Sequence, residues 1–140
     1  MSIQAAIVTI MKNFAPLNNI VQGRIFPHPA DENVSYPFVS YQRISANEDH
    51  GLGGSHGVIR ARFQITAWSD NFDEALKVEQ QVRMALVAFS GTVTTPSGYV
   101  ETIQEIFSWG NQELYDAKAR VFYLPLDLEI AYEAPIPNQT

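Results

Sequence analysis

Val58-Ile59-Arg60-Ala61-Arg62-Phe63-Gln64-Ile65-Thr66-Ala67-Trp68 is the stretch that decides the fold. Side chains of an extended chain alternate between two faces, so Ile59, Ala61, Phe63, Ile65 and Ala67 share one face and Arg60, Arg62, Gln64 and Thr66 share the other. A slip of one residue would bury two arginines, which specifies the register firmly. The segment Pro37 to Ala46 alternates more loosely but is rich in aromatic and β-branched residues, and it reads as a second strand. Asn47 to Gly57 lies between them (Asn-Glu-Asp-His-Gly-Leu-Gly-Gly-Ser-His-Gly) and has the composition of a long loop.

The signals continue in both directions. Downstream, Asn71 with Glu74 three residues later predicts a capping box, and Asp70 and Asp73 suit the positive end of a helix dipole. Ala75, Val78, Val82, Ala85, Leu86 and Phe89 then form one apolar stripe, which Gly91 ends. Thr92 to Thr95 is short and β-prone, Pro96-Ser97-Gly98 is a turn, and Tyr99 to Trp109 is a strand with a break at Gly110-Asn111. In the last strand, Phe122, Leu124, Leu126, Leu128, Ile130 and Tyr132 point one way, while Val121, Tyr123, Asp127 and Glu129 point the other. Pro125 sits inside it and implies an edge position or a bulge. Upstream, Ile3, Ala6, Ile7, Ile10, Met11 and Phe14 are spaced as a helix capped by Ser2 and ended by Pro16, with one further turn over Leu17, Ile20 and Val21. Arg24 to Pro27 is a short extended piece that Pro27 and Pro29 keep out of a central position. Asp31 to Ser35 is a polar loop.

The expected order is α-β-β-α-β-β: an α+β domain with a mostly four-stranded antiparallel sheet and both helices on its apolar face. It spans residues 1–133, with residues 134–140, containing Pro135 and Pro137, as a flexible tail. The chain has 140 residues, of which 46% are hydrophobic and 17% charged, so it can bury a real core. The low charged fraction fits either buried protein contacts or a polar, uncharged surface. With no cysteine, disulfides, thiolate metal sites and thiol catalysis are excluded. A net charge of −6 argues against a domain that grips phosphates, though it suits the lining of a passage that DNA must not stick to. Neither a signal peptide nor a membrane span is indicated.

Candidate chemistry is sparse. His50 and His56 flank a loop that also carries Glu48 and Asp49, which invites a metal site. The glycines between them fix no geometry, His28 lies between two prolines, and solvated loop histidines are the better account. The Gly51 to Gly57 run has a strand on both sides, so it fails as a P-loop and as a dinucleotide turn. Arg43, Arg60 and Arg62 on the polar face of the first hairpin would make a small positive patch. It would meet carboxylates of a neighbouring subunit, touch DNA, or form local ion pairs with Asp127 or Glu129, and the acidic total favours a protein interface over DNA contact. No serine has a nucleophile context, so no catalytic residue, cofactor or metal is implied. Trp68 and Trp109, at strand ends, would serve as interface anchors or, as is commoner for such residues, in core or rim packing. The expected interface residues are Arg43, Glu48, Asp49, His50, Leu52, His56, Arg60 and Arg62.

In its combined order the chain resembles the bacteriophage tail-completion (tail terminator, head–tail joining) family from about Ile3 to Tyr132. Arg24-Ile25-Phe26-Pro27 is similar to that family's early arginine–hydrophobic segment. Tyr36-Pro37-Phe38-Val39 resembles its Pro-Tyr-Val motif, with Phe38 in place of tyrosine. Arg62 to Ser69 resembles its second strand, Glu74-Ala75 through Val82-Arg83 and Leu86 its helix, and Tyr115 to Asp127 its closing strand. Pro125 and the C-terminal tail depart from the pattern. The resemblance implies a structural virion protein assembled in the host cytoplasm, not an enzyme. Such a protein forms a ring, typically a hexamer, at the head-proximal end of the tail. There it caps the tail tube protein and meets the head connector protein, while DNA passes through the lumen without sequence-specific binding. A head-side adaptor or stopper is the alternative within virion assembly. A small ligand- or metal-binding enzyme domain is the alternative from a different class.

Overall fold

A computed structural model describes residues 2–31, 33–49 and 56–135, and the side chains of 3–31, 33–46 and 57–133. The elements are α1 (Ser2–Asn13), α2 (Ala15–Val21), β1 (Ile25–Pro27), β2 (Phe38–Asp49), β3 (His56–Ser69), α3 (Phe72–Leu86), β4 (Gly91–Thr94), β5 (Val100–Asn111), β6 (Leu114–Asp116) and β7 (Val121–Pro135). They form an α+β domain whose seven-stranded mixed sheet runs β1-β2-β3-β7-β5-β4, with β6 pairing the start of β7. The expected four antiparallel strands are its middle, β2-β3-β7-β5. Three short strands and one short helix enlarge the expected plan. Strands of three or four residues have too few positions to show a period, so β1 and β4 show in the sequence only as a short extended piece and a β-prone run, and β6 is not set apart from the closing strand. The pairing of β1 with β2 is parallel, and β1 is the outermost strand, as Pro27 and Pro29 require.

Pro16 both ends one helix and starts the next. It occupies the first turn of α2, where its missing N–H would have no partner in any case. The cap of α3 differs from a simple reciprocal box. Asn71 Oδ1 accepts from Glu74 N at 3.0 Å, while the Glu74 carboxylate accepts from Ser69 Oγ at 2.7 Å. That same hydroxyl accepts from Asn71 N at 3.1 Å, so a buried serine relays the second half of the cap. The helix closes at Leu86, and Ala88, at φ 67°, donates its N–H to Ile106 O. Gly91, expected to end the helix, instead opens β4.

All three helices lie on one face of the sheet. Ile3, Ile7 and Met11 of α1, Leu17 of α2 and Val78, Val82 and Leu86 of α3 pack there against Phe63, Ile65, Ile103, Leu124, Leu126, Leu128 and Ile130. Each such side chain contributes about 1.5–3 kcal/mol when fully buried.

Three expected boundaries move, and Pro125 sits elsewhere than expected. The loop between β2 and β3 is shorter than Asn47–Gly57, because Asn47, Glu48 and Asp49 pair with Arg60, Ile59 and Val58. Ladder bonds are made by backbone, so a solvated hairpin can extend through polar residues. β5 runs two residues past Trp109, through Gly110 to Asn111, with a bulge between Ser108 and Gly110 just before its end. β7 continues through Ala134 and Pro135, which faces His56, while 136–140 lie outside the described residues. Pro125 occupies neither an edge nor a bulge; β7 is central. Its carbonyl accepts from Gln112 N at 3.0 Å, and in a strand the N and C=O of one residue face the same side. The missing N–H therefore faces the Gln112-Glu113 link between β5 and β6, where no ladder bond is lost.

Candidate functional site

The helices leave the other face of the sheet uncovered, and every polar feature singled out in the sequence has to be located against it. Arg60 and Arg62 of β3 stand there. Arg43 does not join them: it pairs with Phe63, a core-face residue, just before a bulge between Arg43 and Ser45. The bulge shifts the alternation, so the two halves of β2 present opposite parities to β3. Glu48 and Asp49 belong to the hairpin ladder through their backbones, His56 pairs with Pro135 of β7, and His50 and Leu52 lie outside the described residues.

Local partners hold this face together. Arg60 Nη1 lies 3.9 Å from Glu129 Oε2, a long and half-solvated ion pair. Gln64 Nε2 donates to Asp127 Oδ1 at 3.2 Å. Asp127 and Glu129 are thus engaged across the sheet as the wet side of β7. The Arg62 guanidinium sits 4.8 Å from the centre of the Trp109 ring, which the bulge between Ser108 and Gly110 lifts from β5. Trp109 is 60% exposed and Phe107 beside it 42%, an apolar pair in an otherwise polar setting. Burial raises the Tyr41 phenol above its ordinary pKa, keeping it protonated.

One end of this face has a different character. Tyr36, Phe38, Trp68 and Tyr123 stack in a row across β2, β3 and β7, with ring centres 5.8, 5.7 and 5.1 Å apart. Trp68 Nε1 donates to the buried Ser40 Oγ at 2.9 Å and fixes the row's centre. Above it, the connection from His28 to Tyr36 and the turn from Asp116 to Arg120 leave a cleft of about 410 Å³. Its walls are Pro29, Val34, Tyr36, Phe38, Trp68 and Val121, with His28, Asp31, Asp116 and Ala119 among the remaining lining residues. Val121, expected on the wet face, is buried by this overlay.

Sequence reasoning missed the cleft. Its trace was available: Tyr36, Phe38, Trp68 and Tyr123 are aromatic residues at outward positions, where polar ones are the norm. Among the described residues no group of three or more His, Asp or Glu side chains is placed to hold a metal, and no helix is long and apolar enough to cross a membrane. What this face offers is stacked rings, exposed aromatics and locally paired charges.

Comparison with known proteins gives this surface its context. The sequence matches the family described as "Tail completion protein gp17" over residues 5–133. A chain of the "Virion of native gene transfer agent (GTA) particle" has a similar fold, with a TM-score of 0.74 at 16% identity and 94% of each chain covered. No curated protein matches. Because the family match takes in nearly the whole domain, the chain belongs to the tail completion protein gp17 family, and it is a structural protein of the virion tail rather than an enzyme.

Proposed function

We propose that this protein finishes the phage tail tube. Copies of the chain close into a hexameric ring at the head-proximal end, stop tube polymerisation and present a surface to the head connector, and DNA passes through the lumen. The family match over residues 5–133 carries this reading. The architecture supports it. One face of the sheet is spent on the core, while the other keeps exposed aromatic and charged side chains that a neighbouring subunit can cover. A ring needs two different complementary patches on each copy and a rotation that closes. Arg43, Arg60 and Arg62, together with Glu48, Asp49, His50, Leu52 and His56, supply contacts to subunits, to the tail tube protein and to the connector. The net charge of −6 suits a lumen that repels DNA rather than holding it.

The test is electron microscopy of lysates from the phage with this gene switched off. DNA-filled heads beside unattached, overlong tails are the expected result. Tails of normal length beside leaking heads would move the protein to the head side of the joint. Intact, infectious particles would end the proposal.

A further inference from the structure

The aromatic cleft is preformed, and nothing among the described residues fills it. Its rings are locked by stacking on both sides of Trp68 and by the bond to Ser40. Flat aromatic walls of this kind suit proline-bearing extended segments, whose backbone is already restricted and loses little entropy on docking. The rim carries the carboxylates of Asp31 and Asp116, so an uncharged segment fits better than an acidic one.

This chain supplies one such segment. It has eight prolines. Pro16 is built into α2, Pro96 lies in the β4–β5 connection, Pro125 lies in the central strand, and Pro27, Pro29 and Pro37 belong to or adjoin the cleft's own walls. Pro135, at the very end of β7, and Pro137 beyond it remain, in the uncharged run Ala134-Pro135-Ile136-Pro137-Asn138-Gln139-Thr140.

The geometry forbids the segment its own cleft. Tyr123 borders the aromatic row near the start of β7, and Pro135 is the last residue of the same strand. Twelve residues of strand at about 3.3 Å each separate them by roughly 40 Å. Ile136 and Pro137 reach only about 7 Å beyond Pro135. Only the cleft of another copy is accessible.

We propose that Pro135-Ile136-Pro137 of one copy seats in the aromatic cleft of the next. The two patches differ and lie at opposite ends of one strand, so the contact is head-to-tail, the type that generates a ring when its rotation closes. Each contact is small, and its strength comes from repetition around the ring. This inference rests on the self-assembly described above.

The two tryptophans make it testable on the full-length protein. A peptide of residues 133–140 is titrated into isotope-labelled chain, and the two indole N–H signals are followed. The expected result is a saturable shift of Trp68 with Trp109 unmoved. The shift is at least tenfold weaker for a peptide carrying Pro135→Ala, Ile136→Asp and Pro137→Ala. The substitution Ala119→Arg, at an exposed turn position on the rim, abolishes the shift while leaving the rest of the spectrum in place. An unmoved Trp68, or equal shifts of both indoles, overturns the inference. So does a full-length chain carrying the three tail substitutions that caps tails in the phage as well as the natural one. In that last case the tail-completion role stands and only the contact fails. Intact particles after gene loss would instead remove the role, whatever the peptide does.

Discussion

The two faces of this sheet are made by the same strands and obey different rules. On the helix side, Phe63, Ile65, Leu124, Leu126, Leu128 and Ile130 are buried with almost no exposure, and what matters is volume and apolarity. On the other side, the same strands present Arg60, Arg62, Gln64, Tyr123, Asp127 and Glu129, and what matters is which side chain meets which neighbour. Period-two alternation establishes the first face and leaves the second undetermined. The bulges at Arg43 to Ser45 and Ser108 to Gly110 then re-aim the outer residues. They take Arg43 away from its expected partners and bring Trp109 beneath Arg62. A sheet can therefore be legible as a scaffold and illegible as a surface.

The harshest way to break the comparison is to put an outer-face residue on the inner one. Leu128→Asp places a carboxylate at a fully buried position with no basic partner among the surrounding core side chains. Burying an unpaired charge costs several kcal/mol, on the order of the whole stability of a domain this size. The expected outcome is loss of the native circular dichroism spectrum. A cooperative thermal transition near that of the natural chain would mean that the faces of β7 are reversed. The corresponding outer substitution, Glu129→Leu, is expected to leave the fold intact, because Glu129 gives up only a long, half-solvated ion pair.

The same contrast explains how much could be read from sequence. The stripe of α3, its Asn71 cap and the four long strands are repeated local patterns, each specified by many residues at once. β1, β4 and β6 are too short to carry a period, so the sequence marks β1 and β4 only as short extended pieces and does not set β6 apart from the closing strand it pairs with. Pro125 misleads for a related reason. A proline's effect on a sheet depends on what lies beside it, and here the neighbour is a gap between two strands. Asn47 to Asp49 look like loop because their polarity is visible while their backbone pairing is not. The aromatic row needs residues from three strands and from the segment leading into β2, separated by up to eighty-seven positions from Tyr36 to Tyr123, and only the register brings them together. The interface residues proposed from the hairpin were chosen by composition, which carries no information about the bulge that separates Arg43 from Arg62.

A milder break tests whether the outer face has a structural share of its own. Trp68→Ala removes the central ring of the stack and leaves Phe38 and Tyr123 facing a hole. Burying a large aromatic side chain is worth several kcal/mol, and Trp68 is only half-buried, so a loss of about 2–3 kcal/mol is expected. Trp68→Phe keeps most of the stacking but deprives the buried Ser40 hydroxyl of its donor, for about 1 kcal/mol. Urea denaturation of the three proteins separates the two contributions. If both variants match the natural chain, the row is not an organised part of the domain.

The smallest effect is expected where the outer face is most open. Arg62→Ala removes the cation beside the exposed Trp109 ring, an interaction worth about 0.5 kcal/mol at a solvated site. Stability should barely change, while the emission of Trp109, read in a Trp68→Phe background, should shift as its charged neighbour disappears. Added salt should leave that emission nearly unchanged in the variant, because the contact responsible for any salt response has gone. A loss of stability as large as that of Trp68→Ala would be informative in the opposite sense. It would show that Arg62 and Trp109 anchor the outer face together, and that the division into a structural face and a contact face does not hold at β5.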